Sequence, residues 1–375
     1  MDIPLFKRWS ASKKFGLWKK KQQSIIGIDI GSSAIKVVQL KKEKERAVLE
    51  TYGELAIGPY AQASVGQVSR LIDKKLIEAL SDVIKEAGVT AKKTVVSIPL
   101  RSSFIIMIEL PVSPDNDNFD KIVRFEARKY IPIPLSEVEF DWLKVPPALE
   151  TPQQSNVKAG KKPLSQVLLA AVHKDVIEKY KRIISQAGLY LQGFEIEVFG
   201  IARSVISRET YPILLIDFGA SAAKMLVVDY GIIRLSHVME HGSQNLTLAL
   251  SRSLNVDFSR AEEMKREIGL SNRPEHQEIK NIMEPILDYI FLEANRVMSD
   301  YRRKYSRSIG RIILTGGGSL LKGIVDYTVK KFGIEVNLAN PFAKVEYPAF
   351  LQPVLKQAGP EFSVALGLAL RELSH

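Results

Sequence analysis

Ile25-Ile26-Gly27-Ile28-Asp29-Ile30-Gly31-Ser32-Ser33 and Ile213-Leu214-Leu215-Ile216-Asp217-Phe218-Gly219-Ala220-Ser221 are two copies of one pattern, with Asp217 following Asp29 by 188 positions. Each is an apolar run ending in Asp-x-Gly and small residues. The run suits a strand buried on both faces. The glycine lets the backbone turn tightly and approach a bound group. The aspartate stands at the strand end, where it can hold a hydrated cation. Two such turns facing each other would clamp a polyphosphate from both sides. A third buried run, Ile312-Ile313-Leu314-Thr315-Gly316-Gly317-Gly318-Ser319, leads into a triple-glycine turn.

Around these turns, 375 residues are enough for a large core and two lobes. The chain has no cysteine, which excludes disulfides, thiolate metal sites and a cysteine nucleophile. It has no uninterrupted apolar stretch of membrane-spanning length, about 20 residues, and its N-terminus lacks the apolar core of a signal peptide. The net charge of +11 is concentrated. Residues 1–23 carry Lys7, Arg8, Lys13, Lys14, Lys19, Lys20 and Lys21 against Asp2, a side-chain charge of +6, interleaved with Phe6, Trp9, Phe15 and Trp18. Such a stretch suits an anionic membrane surface or a partner. A solvated tail is the plainer alternative, and nucleic acid is not the expected partner.

Coarse patterning gives strands over 25–58 and a helix over 68–88, where Leu71, Ile72, Leu76, Leu80 and Ile84 recur at helical spacing. Strands follow at Thr94–Ile98 and Phe104–Leu110, then a helix reaching about Tyr130 with Asp and Asn capping it, and a strand at Ser165–Val172. The proline-rich 145–163 reads as a hairpin loop. Helices are expected at 174–188 and 198–209, a mainly helical block at 244–309, a strand at 311–314, a helix from about 319 and a last helix over 361–373. Three rival chemistries fail. Asp115-Asn116-Asp117-Asn118-Phe119-Asp120 lacks the glycine and the twelfth-position glutamate of a calcium loop. His237 and His241 lie on a strand about 13 Å apart, too far to share an ion. The phosphate-loop lysine motif of P-loop enzymes is missing.

The two Asp-x-Gly turns followed by the triple glycine resemble the actin-like ATPase superfamily, with two phosphate loops and an adenosine loop. Ile98-Pro99 and Phe125-Glu126-Ala127-Arg128-Lys129-Tyr130-Ile131-Pro132 resemble the subdomain inserted in its PilM and FtsA families, and the chain is similar to PilM over roughly residues 24–373. The resemblance implies an α/β, actin-like (ribonuclease H-like) fold of two lobes with an FtsA/PilM-type subdomain inserted in the first. The expected divisions are a basic tail, 1–23; a first-lobe core, 24–92, completed by 174–210 and 361–375; the inserted subdomain, 93–173; and a second lobe, 211–360, with a helical subdomain at 244–309.

It also implies ATP with Mg²⁺ as cofactors. Nucleotide contacts then fall to Asp29, Gly31, Ser32, Ser33 and Lys36 in the first loop, and to Asp217, Gly219, Ala220 and Ser221 in the second. Gly316, Gly317 and Gly318 take the adenosine side, and Glu262 and Lys265 of Ala261-Glu262-Glu263-Met264-Lys265 the ribose and base. Asp29 and Asp217 can hold magnesium through water, backbone amides of both loops can bind phosphate oxygens, and Glu262 and Lys265 share a helix face. Lys36 is either a phosphate neutraliser or a solvated strand residue, and Glu262–Lys265 has an exposed ion pair as its plainer reading. Glu197, on the first connecting helix, would position the attacking water.

The second loop departs from the family, because Ala222 and Ala223 follow Ser221 where many relatives carry threonine. Hydrolysis is therefore expected to be slow or absent, and restoring a hydroxyl at Ala223 to raise it. The implied role is a cytoplasmic scaffold, peripheral to the inner membrane, of a type IV pilus assembly platform. Its implied partners are the N-terminal peptide of a PilN-like bitopic protein and pilus motor components. An FtsA-like membrane-tethered filament former is the alternative, and a small-molecule kinase of the same superfamily a more remote one.

Overall fold

The computed structural model describes residues 24–112, 117–145 and 165–373. The basic tail, the loop expected after Val145 and most of the Asp/Asn run before Asp117 therefore lie outside the described residues. In the first part of the chain β1 (Ser24–Ile30), β2 (Ala34–Glu43) and β3 (Arg46–Ala56) form an antiparallel meander. Helix α1 (Asp73–Glu86) returns the chain to β4 (Lys93–Ile98), which lies parallel to β1. The helical spacing of 68–88 overshoots the start, since Leu71 and Ile72 precede the helix and Ile72 is exposed.

Three antiparallel strands then make a small sheet of their own. β5 (Ser103–Leu110), β6 (Val138–Lys144) and β7 (Ser165–His173) are ordered β5-β7-β6. Helix α2 (Phe119–Ala127) packs Phe119, Val123 and Ala127 onto it. It stops three residues short of Tyr130, and Asn118 stands at its N-cap position without a side-chain capping bond. Helix α3 (Lys174–Gln186) leads to β8 (Tyr190–Ile196), parallel to β4, which completes the first sheet as β3-β2-β1-β4-β8. One expected border moves, and one strand joins that was not expected. The inserted sheet begins at β5, because residues 93–98 are a strand of the first lobe's sheet. Strand β8 was not expected at all: Gln192, Gly193 and Glu195 weaken its β signature. The fold tolerates Glu195 there because both its oxygens accept from the Arg203 guanidinium, one at 2.7 Å.

After α4 (Glu197–Val205) the same topology repeats. β9 (Ile213–Phe218), β10 (Ala223–Asp229) and β11 (Ile232–Met239) form a second meander. Helices α5 (Ser243–Leu254), α6 (Phe258–Ile268) and α7 (Gln277–Tyr305) follow, then β12 (Arg311–Thr315), α8 (Ile324–Phe332) and β13 (Glu335–Leu338). The sheet order is β11-β10-β9-β12-β13, with β12 parallel to β9 as β4 is to β1. All six residues of β9 are buried, the pattern of a central strand covered on both faces. The expected helix at 319 is instead a 3-10 turn over Gly317–Leu320, and α8 begins at Ile324.

The chain then goes back to the first lobe sooner than expected. Phe342 and Phe362 pack their rings against Tyr52 of β3, and Leu49 donates its backbone N–H to the Glu346 carbonyl. Residues 341–360 thus pack on the first sheet rather than ending the second lobe. Helix α9 (Gln352–Ala358) leads to α10 (Ser363–Leu373), in which every residue but Glu372 is buried. An all-round apolar helix belongs inside a protein, and α10 lies in the cleft floor against β1 and α4. Glycines allow that approach. A Cβ on Gly367 would stand 1.9 Å from the Gly200 carbonyl oxygen, and one on Gly27 1.9 Å from that of Ala365.

Candidate functional site

The repeat brings the two Asp-x-Gly turns to facing ends of β1 and β9. Each turn closes in the same way: Gly31 N–H donates to Ala34 O, and Gly219 N–H donates to Ala222 O, both at 3.0 Å. Helix α5 backs the second turn, where Ser243 and Gln244 donate their N–H groups to the Gly219 and Ala220 carbonyls. Between the lobes lies a cleft of about 950 Å³. Asp29, Gly31, Ser32, Ser33 and Lys36 line one wall; Asp217, Gly219, Ala220 and Ser221 line the other. Glu197, Glu262, Lys265 and Gly316 to Gly318 line the remainder, so every candidate named above faces the same space.

At one end of the cleft three carboxylates converge. Asp29 Oδ1 accepts from Ser97 Oγ at 2.8 Å. Burial pushes its pKa up, while the nearby charges of Lys36 and Lys224 pull against that rise. Glu197, the first residue of α4, accepts from Leu100 N–H on Oε1 and from Lys224 Nζ on Oε2, both at 2.7 Å. Burial raises its pKa as well, against the pull of Lys224. Lys224 Nζ also meets Asp217 Oδ2 at 2.7 Å. Burial opposes the charge on Lys224, but Asp217 and Glu197 outweigh it and hold the ammonium well above an ordinary lysine.

Sequence reasoning missed Lys224, although the repeat contained it. Lys36 pairs across β1 and β2 with Asp29, as Lys224 pairs across β9 and β10 with Asp217, at the same seven-residue spacing. Lys36 is not a solvated edge residue. Its side chain is 13% exposed and its Nζ lies 3.2 Å from Glu54 Oε1. Burial works against its charge, but Glu54, Glu361 and Asp29 together raise its pKa. Ala223, in contrast, is fully buried in the second lobe's core and does not face the cleft. It is therefore the wrong position for a restored hydroxyl. Ser221 Oγ accepts from Arg101 Nη2 at 3.2 Å, a contact between the lobes that nothing in the sequence announced.

At the other end, Glu262 and Lys265 form the ion pair their spacing suggested, at 2.6 Å, but buried rather than exposed. Glu262 also accepts from Thr247 and from Arg266 Nε. Burial raises its pKa, but Lys265 and these hydrogen bonds hold the carboxyl below its usual range. The triple-glycine turn needs its glycines. Gly316 has φ +78°, a conformation side chains rarely adopt, and a Cβ there would stand 2.3 Å from Asp217 Oδ1. Beside it lies Glu361, whose pKa is raised by burial and by Glu54. Ser64 with Ser259, and Val68 with Gln244, join the lobes across the cleft mouth.

A hydrated magnesium ion shared by Asp29 and Asp217 fits this donor set poorly. Asp217 already accepts from an ammonium, and a dication between the two aspartates would face that charge. Among the described residues no group of three or more His, Asp or Glu side chains has a metal-binding arrangement, and no helix is long and apolar enough to cross a membrane.

The family model described as "Type IV pilus assembly protein PilM" matches residues 27–373. Among solved structures, the chain is similar to a PilM–PilN type IV pilus biogenesis complex, with TM-score 0.77 and 24% identity over 95% of this chain and 99% of that one. MreB5 of Spiroplasma citri bound to AMPPNP shares the fold at TM-score 0.52 and 13% identity, over 94% of this chain and 96% of that one. Among curated proteins, the cell division protein FtsA of Helicobacter pylori is 25% identical over 52% of this chain and 45% of its own length. FtsA of Streptococcus pneumoniae is 21% identical over 86% of this chain and 77% of its own length. The chain thus spans about half the length of the first of these curated relatives. The fold is that of the actin-like ATPases, and the chain belongs to the PilM family of type IV pilus assembly proteins.

Proposed function

We propose that this chain is an ATP-binding scaffold of the type IV pilus assembly platform, placed on the cytoplasmic side of the inner membrane and engaged by the N-terminal peptide of a PilN-like bitopic protein. The observation that carries the reading is the pair of matching Asp-x-Gly turns facing one cleft, in a chain of this family. Backbone amides and lysines from both turns are available to a triphosphate, and the Glu262–Lys265 pair suits a ribose and base. Turnover is slow or absent in this reading. Both Glu197 oxygens already accept hydrogen bonds, Ser221 is engaged by Arg101, and Ala222 brings no hydroxyl. Pilus motor components are the expected downstream partners, and the basic stretch 1–23 is the expected contact with anionic lipid.

The test is capture of the chain by a synthetic PilN N-terminal peptide with and without ATP, scored alongside sedimentation with anionic vesicles. Peptide capture, with sedimentation on the vesicles but no filaments, fits the scaffold. Filaments forming on the vesicles with ATP, and no capture, would favour the FtsA-like alternative.

A further inference from the structure

Lys224 occupies an unusual place. Its ammonium lies 2.7 Å from Asp217 in its own lobe and 2.7 Å from Glu197 in the other, and its side chain is 17% exposed. It therefore crosses between the lobes at the phosphate end of the cleft, and its charge also bears on Asp29. An ammonium has three donors, and these two bonds use two. The third remains for a phosphate oxygen entering between the turns. Lys36 comes from the matching position of the other lobe, so a polyphosphate there would meet one lysine from each wall.

We infer that Lys224 is a built-in counter-cation for the terminal phosphates, so that this chain binds a nucleoside triphosphate without a divalent ion bridging Asp29 and Asp217. The inference rests on the nucleotide-binding reading and deepens it. The chemistry follows from the donors. A divalent ion in such a site offsets phosphate charge and is held through carboxylates. Here a compact lysine charge already meets the carboxylates of Asp217 and Glu197, and it brings no hydration shell that needs an open position. The same contact occupies Glu197 Oε2, so the side chain that meets the phosphates also engages the acid that would position a water.

The experiment is calorimetric titration of ATP into the full chain, once with magnesium chloride and once with EDTA. The variants are Lys224→Met and the double variant Lys224→Met with Glu197→Gln, which also removes the acid that the lysine neutralises. Thermal unfolding reports whether each is folded. The wild-type affinity is expected to differ by no more than about threefold between the buffers. The variants should bind only with magnesium, weakening by about tenfold or more in EDTA, the scale of one charge-assisted hydrogen bond. The double variant gives this result if Lys224→Met alone does not fold, and the wild-type comparison stands in either case. Loss of wild-type binding in EDTA overturns the inference, as does equal retention by the variants. A wild-type chain that binds ATP in neither buffer overturns the nucleotide-binding reading, and this inference falls with it.

Discussion

Asp29 and Asp217 end matching strands, but their surroundings differ: one accepts from a serine hydroxyl, the other from a lysine. A repeat fixes backbone position more firmly than it fixes chemistry. The same holds for Glu361, which no motif singled out and which stands between Glu54, Lys36 and Arg266 at the cleft floor. Its pKa in the folded chain is raised, chiefly by burial and then by Glu54. A carboxyl that binds its proton more tightly when folded contributes stability at acid pH and loses it as pH rises from the unfolded value. Glu361→Gln should therefore raise the melting temperature at pH 8 by about 1 °C, the shift that about 1 kcal/mol gives in a chain of this size. The gain should vanish as pH falls below the ordinary glutamate value of 4.5. Melting curves across that range check it, and a gain independent of pH would contradict it. At this scale the sequence was readable where backbone geometry decides, at Gly31, Gly219 and Gly316. It was silent on Arg101 and Glu361, whose roles come from contacts with residues far along the chain.

Elements buried on both faces were the most readable, because burial imposes an apolar run whatever the neighbours are. β1, β9 and β12 are such strands. β8 was lost because a buried charge interrupts its pattern, and that charge is satisfied by Arg203 from the next helix. Helix ends were also misplaced, since the apolar spacing continues past the last helical residue at α2 and begins before the first at α1. Helix α10 packs against β1, β2 and α4 inside the first lobe. Its passage over α4 depends on Gly367 and Gly200. Gly367→Ala should destabilise the chain by about 1–3 kcal/mol through overpacking, despite alanine's better helix propensity. Chemical denaturation measures this, and an unchanged midpoint would mean that α10 and α4 have room to part.

On the scale of the whole molecule, the two sheets repeat one topology, and the small β5-β7-β6 sheet is added beside the first. Arg234 of β11 donates to Gln166 of β7 at 2.8 Å, so the added sheet also touches the second lobe. The lobes are therefore joined at several places: Lys224 to Glu197, Arg101 to Ser221, the cleft mouth, and this contact. The family's fold could be anticipated from local motifs, while the domain borders could not, because β4 and residues 341–360 join the first sheet only through tertiary packing. The central claim is that the matched turns hold one nucleotide between the lobes. Calorimetric titration of ATP, with magnesium present, into the wild-type chain and into Gly31→Val and Gly317→Val tests it most directly. One ATP bound by the wild-type chain, and no measurable binding by either folded variant, is the predicted result. Unchanged affinity in both variants would contradict it.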